Sequence, residues 1–192
     1  MTDSPPQSAD AARKRGSWLR ELVETAILTV LIFVAVRFAL QNFRVDGMSM
    51  EPNFHNGEYV LVSKLDYLFH GPQRGDVVVF QAVAALRPDS DFIKRVIGVP
   101  GDTVKVRSGR VYVDNRPLNE PYELQAPDYN WGPEVVPKND YFVLGDNRNN
   151  SYDSSKWPTP WVARKYIIGK AWVVYWPLSS LHFVGTPSYG KG

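Results

Sequence analysis

The sequence predicts a mostly-β protein, an antiparallel, barrel-like sheet domain preceded by one N-terminal transmembrane helix. From about residue 42 onward, short β-branched or aromatic runs alternate with turn dipeptides. No long amphipathic helix separates those runs, so neighbouring strands are joined by turns and pair antiparallel rather than through helical crossovers. A single apolar stretch stands in front of them, nearly free of charge and long enough to span a bilayer.

The chain has 192 residues, of which 44% are hydrophobic, enough for one domain with a real core plus an appendage. Its 15 prolines and 14 glycines are spread along the chain, which suits many short elements. A formal net charge of +2, with no basic stripe after residue 20, leaves no electrostatic footprint for nucleic acid. With no cysteine, disulfides, thiolate metal sites and cysteine catalysis are excluded. His55, His70 and His182 are too scattered to suggest a metal centre.

Residues 1–17 are polar and rich in Pro, Ser and Ala, and read as a flexible tail. Residues 18–41 read as the transmembrane helix. Apolar residues dominate from Leu22 to Leu40, and Thr25 to Val36 carries no charge. At about 1.5 Å per residue this span matches a hydrocarbon core of about 30 Å. A buried core helix or a cleaved signal peptide would share this composition. An uncleaved signal anchor is favoured because Arg13, Lys14, Arg15 and Arg20 precede the apolar run, while only Arg37 and Arg44 follow closely. That asymmetry holds the N-terminus in the cytoplasm and sends residues 42–192 outside.

Within 42–192, strands are expected at Tyr59–Val62, Val77–Phe80, Phe92–Ile97, Thr103–Val106, Val111–Val113, Tyr141–Leu144 and Ala171–Trp176. The run KVRSGRVYV reads as a hairpin turning at Ser108-Gly109. Residues 114–140 contain five prolines and several aromatics, and read as an ordered insertion or long loop.

Two positions carry candidate chemistry. Ser49 follows the apolar segment, between Met48 and Met50 and before Glu51-Pro52. Lys94 shares one face of its strand with Phe92 and Val96. Most loop serines bond locally and most lysines reach past apolar neighbours to water. A desolvated lysine, however, loses its proton more readily and can serve as the base for a serine hydroxyl. No histidine is placed to take that role. The polar segment GDNRNNSYDSS, Gly145 to Ser155, is either an elaborate turn or a cradle behind such a pair.

Taken together, SMEP around Ser49, RGDVVVF, IKRVIGVPGD around Lys94 and GDNRNNSYDS resemble the bacterial type I signal peptidases in composition, order and position behind an N-terminal apolar segment. The resemblance runs from that segment to about Trp176. It implies a mostly-β serine endopeptidase on the outer membrane surface that removes signal peptides from exported preproteins after small-x-small motifs. Its partners would be those signal peptides and membrane lipid, and it needs neither metal nor cofactor. By position, Ser49 is implied to be the nucleophile, Lys94 its general base and Ser151 a hydrogen-bond partner of the lysine. Asp146, Arg148 and Asp153 would order the site. Phe43, Val45, Phe54 and Ile93 would line the pockets for small side chains, and Asp91, Phe92 and Ile93 would pair with an extended substrate. Two departures stand out. Gly47 occupies a position where some members carry a serine that helps hold the oxyanion. Asp153-Ser154-Ser155-Lys156 replaces the usual Asp-Ser-Arg, which removes the expected arginine partner of Asp153.

The implied location is the cell (inner or plasma) membrane, single-pass, with an internal membrane as the alternative. Two rivals remain. A self-cleaving repressor shares the serine–lysine chemistry but needs a DNA-binding domain and no anchor. A catalytically silent anchored β-domain explains the pattern but not the joint placement of Ser49, Lys94 and Ser151.

Overall fold

The computed structural model describes residues 7–81, 90–187 and Tyr189, with side chains from Trp18 onward. The chain divides into two compact units, Met1–Ala39 and Leu40–Gly192. The first is a helix, α1, over Gln7–Ala39. Its Trp18–Ala39 part is long and apolar enough to cross a membrane. Those 22 residues span about 33 Å. Helical backbone begins at Gln7, inside the segment expected to be a loose tail. The run ADAARKR consists largely of strong helix formers, which the low hydrophobicity of the tail had masked.

The second unit is β. Its strands are β1 (Leu40–Arg44), β2 (Tyr59–Ser63), β3 (Val77–Gln81), β4 (Asp91–Gly98), β5 (Thr103–Arg107), β6 (Arg110–Val113), β7 (Arg116–Pro117), β8 (Trp131–Val135), β9 (Asp140–Leu144), β10 (Val162–Ala163), β11 (Ile167–Trp176) and β12 (His182–Phe183). Every pairing among them is antiparallel. One sheet runs β1-β2-β11-β3-β4-β9-β10, with β12 also on β11, and a second runs β7-β6-β5-β8. All seven expected strands are present. Leu40 and Gln41, which hydropathy assigned to the helix, pair instead with Ser63 and Val62 of β2.

The unbroken apolar runs in β3 and β9 have a packing cause. In β3, Val77 and Val79 enter one core cluster while Val78 and Phe80 enter another. In β9, Tyr141 and Val143 join the second cluster, and Phe142 and Leu144 join a third beneath the smaller sheet. Strands buried on both faces have no polar alternation to display. The β5–β6 hairpin turns at Ser108 and Gly109, with φ of 49° and 73°, the doubly left-handed turn that matches strand twist. The proline-rich stretch is ordered: β8 pairs with β5, and the Trp131 ring lies 4.2 Å from that of Phe142, centroid to centroid.

β11 is the longest strand and binds β2, β3 and β12. It can pass between β2 and β3 because Gly169 has no side chain. A Cβ there would meet the Ser63 carbonyl oxygen and lie 2.8 Å from Val62 Cγ1. Since the obstacle is partly backbone, it has little room to yield. Gly169→Ala is therefore expected to cost roughly 1–3 kcal/mol, read as a fall of several degrees in thermal midpoint. An unchanged midpoint would mean that β11 can shift freely against β2.

Candidate active site

The loop after β1 is built from tight turns over two buried anchors. Met50 is 1% exposed and Phe54 1%, whereas Met48 is 52% exposed. The Phe54 and Asn53 amides both donate to the Met50 carbonyl, at 3.0 and 3.1 Å. Gly47, at φ 91°, donates its N–H to Asn56 Oδ1 at 2.9 Å. This loop holds Ser49 at the surface of the core, half-buried.

Lys94 arrives from the middle of β4 and is 3% exposed. Its Nζ lies 2.7 Å from Ser49 Oγ and 2.8 Å from the Ile93 carbonyl oxygen, and donates to both when charged. The Phe92 ring lies 5.6 Å from the same nitrogen. No carboxylate is in hydrogen-bond contact with this amine among the described residues. Burial lowers its pKa from 10.5 to about 8, against the pull of the Asp153 and Asp146 carboxylates. Once Lys94 loses its proton, the hydrogen bond to Ser49 reverses, with the hydroxyl donating to the free amine.

The segment from Gly145 to Ser155 carries the supporting shell. Asp146 accepts two bonds from Arg95, Nε at 2.8 Å and Nη2 at 2.7 Å, and a third from Asn53 Nδ2 at 2.9 Å. Arg148 is fully buried and bonds Glu120 through two nitrogens, at 2.9 and 2.7 Å, with Glu123 at 3.0 Å. Asn147 donates its backbone N–H to the Ser49 carbonyl and its Nδ2 to the Met48 carbonyl, both at 3.1 Å. Gly145 packs directly beneath: a Cβ there would meet the Ser49 carbonyl oxygen and the Ser151 hydroxyl. Asp153 accepts from the Gly145 N–H at 2.9 Å and from the Ser155 hydroxyl and N–H at 2.7 and 3.1 Å.

Two expectations are corrected. Ser151 is buried near the pair, but its hydroxyl makes no hydrogen bond among the described residues. The Ile93 carbonyl is the second partner of the Lys94 amine instead. Phe54 is a core anchor packed with Val45, Val60 and Val77, and does not line the cleft. Of the other expected residues, Phe43, Val45, Asp91, Phe92, Ile93, Ser49 and Lys94 line one cleft of about 570 Å³, whereas Asp146, Arg148 and Asp153 do not line it. Arg44, Asp46, Met48, Asn150 and Tyr152 also line it and were not anticipated as lining residues. β4 pairs with β9 only through residues from Arg95 onward, so among the described residues Asp91 to Lys94 have a β3 partner on one side and no strand on the other.

A family model described as signal peptidase, peptidase S26, matches residues 18–176. The signal peptidase I of Leptolyngbya laminosa is 42% identical over 189 residues, covering 95% of this chain and 92% of the relative. The signal peptidase IB of Staphylococcus aureus strain MRSA252 is 31% identical over 191 residues, covering 90% and 97%. The crystal structure of a signal peptidase I from Enterococcus faecalis V583 aligns with a TM-score of 0.44 at 29% identity, over 52% of this chain and 95% of that one. The chain belongs to the signal peptidase family, peptidase S26.

A buried base with a depressed pKa carries a stability cost with a definite pH dependence. Below about 8 the folded state holds the proton less well than the unfolded chain, so the cost is fully present. It declines as pH rises from about 8 and vanishes only above 10.5, where Lys94 is neutral in both states. Lys94→Met is expected to be more stable than wild type at pH 7 by roughly 1–3 kcal/mol, less whatever its two lost hydrogen bonds contribute. The gain should shrink as thermal unfolding is repeated toward pH 10.5. A gain independent of pH would rule out desolvation of the amine as its cause.

Proposed function

We propose that this protein is a membrane-anchored serine endopeptidase that removes signal peptides from exported preproteins after small-x-small motifs. The observation that carries the reading is the 2.7 Å contact between Ser49 Oγ and the buried Lys94 amine, at the base of a cleft beside an unpaired strand edge. Family membership supports the substrate class. In the proposed reaction the neutral Lys94 amine takes the Ser49 hydroxyl proton as Oγ attacks the scissile carbonyl carbon. The charge that develops on the carbonyl oxygen meets the Ser49 N–H, which donates no hydrogen bond among the described residues. The Lys94 ammonium then returns its proton to the leaving amine as the C–N bond breaks. The acyl group stays on Ser49 until water, deprotonated by Lys94, releases it.

Substrate binding follows from the edge of β4. An extended peptide laid along Asp91, Phe92 and Ile93 adds a strand there, its alternate side chains entering the cleft between Phe43, Val45 and Ile93. Ser151, Asp146, Arg148 and Asp153 act in this reading by fixing the backbone around the pair. Helix α1 is proposed as a single-pass anchor in the cell membrane with its N-terminus in the cytoplasm, on the strength of the basic residues before Trp18.

The deciding experiment is cleavage of a purified preprotein by the detergent-solubilised full chain. Wild type should cut once, after a small-x-small site, while Ser49→Ala and Lys94→Ala lose at least about 1,000-fold in kcat/KM yet remain folded. Retained cleavage by either variant removes the proposed pair from the chemistry. The wild-type kcat/KM should rise with pH and level off above about 8, since only the neutral amine accepts a proton. A profile flat from pH 6 to 10 would exclude Lys94 as the base. For topology, protease added outside intact cells with an opened outer envelope should digest residues 42–192. Full protection would reverse the proposed orientation.

A further inference from the structure

The Asp153 carboxylate is fully buried, and its hydrogen bonds all come from neutral donors: Gly145 N–H, Ser155 N–H and the Ser155 hydroxyl. A buried carboxylate ordinarily has a cation as partner. Here the neighbouring lysine turns elsewhere. Lys156 Nζ donates to the Ser151 carbonyl at 2.7 Å and leaves Asp153 alone. The Gly145 that binds Asp153 also packs against the Ser49 carbonyl, so this carboxylate lies one residue from the candidate nucleophile's backbone. We propose that Ser155 is a positioning residue that orients Asp153 through neutral donors, so that the charge of this carboxylate acts on the Lys94 amine rather than on a cation of its own. The inference rests on the serine–lysine reading above.

The electrostatic surroundings support this assignment. Asp153 and Asp146 are the carboxylates that favour the charged form of Lys94, against its desolvation. Asp146 is matched in place by the bidentate Arg95. Arg148 is matched by Glu120 and Glu123, and Asp91 lies on the exposed end of the same strand as Lys94. Tyr129 faces Asp153 and Ser155 as a neutral phenol, its pKa pushed up to about 12 chiefly by burial. Of the two carboxylates that act on Lys94, Asp153 is thus the one held without a cationic partner. Its charge keeps the amine more basic than desolvation alone would leave it, which sets where on the pH scale the base becomes free. An arginine or lysine at position 155, which is half-buried, would cancel that charge.

The test is kcat/KM against pH for the full chain in detergent, with a preprotein substrate, for wild type, Ser155→Thr, Ser155→Ala, Ser155→Arg and Ser155→Lys. The two cationic variants should move the acid limb to lower pH by roughly 0.5–1 unit, because a cation beside Asp153 weakens its hold on the Lys94 proton. Ser155→Thr, which keeps the hydroxyl, should overlay wild type. Ser155→Ala should lower kcat several-fold with KM unchanged. Folded cationic variants whose acid limb stays with wild type overturn the proposal. If those variants do not fold, equal kcat for Ser155→Ala and wild type overturns it instead. A Ser49→Ala control separates the two levels: cleavage by that variant defeats the serine–lysine reading itself, whereas a dead Ser49→Ala with superimposed profiles defeats only the role of Ser155.

Discussion

The withdrawal of one amine from water governs the organisation of this site. Lys94 is buried in the middle of β4, beside the buried Val78 of β3, and its nitrogen meets a hydroxyl and a backbone carbonyl rather than a carboxylate. A carboxylate in contact would restore the ammonium and leave the serine of the proposed pair without a base. Asp146 and Glu120 are accordingly tied to Arg95 and Arg148, while Asp153, held by neutral donors, acts on the amine without touching it. The buried ion pairs therefore serve the site chiefly by keeping charge away from it and by fixing the Gly145 to Ser155 segment. Pairs of this kind contribute little net stability on their own.

The fold answers the same requirement. Both faces of β3 and β9 are buried; β3 covers Lys94 through its partner Val78, and β9 joins β4 from Arg95 onward. Towards its N-terminal end β4 loses its β9 partner, and the cleft opens at that point. One strand thus supplies a desolvated base at its centre and an unsatisfied hydrogen-bonding edge beside it. The loop from Val45 to Phe54 completes the arrangement, because Met50 and Phe54 sink into the core and leave Ser49 facing the amine.

Much of this was legible in the residue pattern, and the misses have physical causes. Strand positions followed from β-branched runs and turn dipeptides, which act locally. The facing of Lys94 followed from simple alternation along DFIKRVIG. β1 was partly hidden because Leu40 extends a hydropathic run without a break, although its backbone pairs with β2. Phe54 was assigned to the cleft on position alone, and an aromatic side chain one turn further along the loop turns inward as an anchor. Glu120 and Asn53 had no local signal at all, and Asn147 was visible only as part of the polar Gly145 to Ser155 segment. Each acts through a partner distant in the chain, and composition carries no trace of such a pairing. The missing arginine after Asp153 was visible as a departure, but its replacement by the adjacent hydroxyl required coordinates.

The distances along the chain between these partners have a temporal consequence. Ser49 meets Lys94 across 45 residues, Asn53 meets Asp146 across 93, and Asn147 meets Met48 across 99. Contacts of such long sequence separation form after local turns and hairpins, when most of the sheet has closed. Until then Lys94 is hydrated and keeps its ordinary proton affinity near 10.5, so at neutral pH it is a cation and Ser49 an inert alcohol. On the proposed serine–lysine reading, the nascent chain is in effect its own zymogen, with activation by closure of the fold around Lys94 and no cut required.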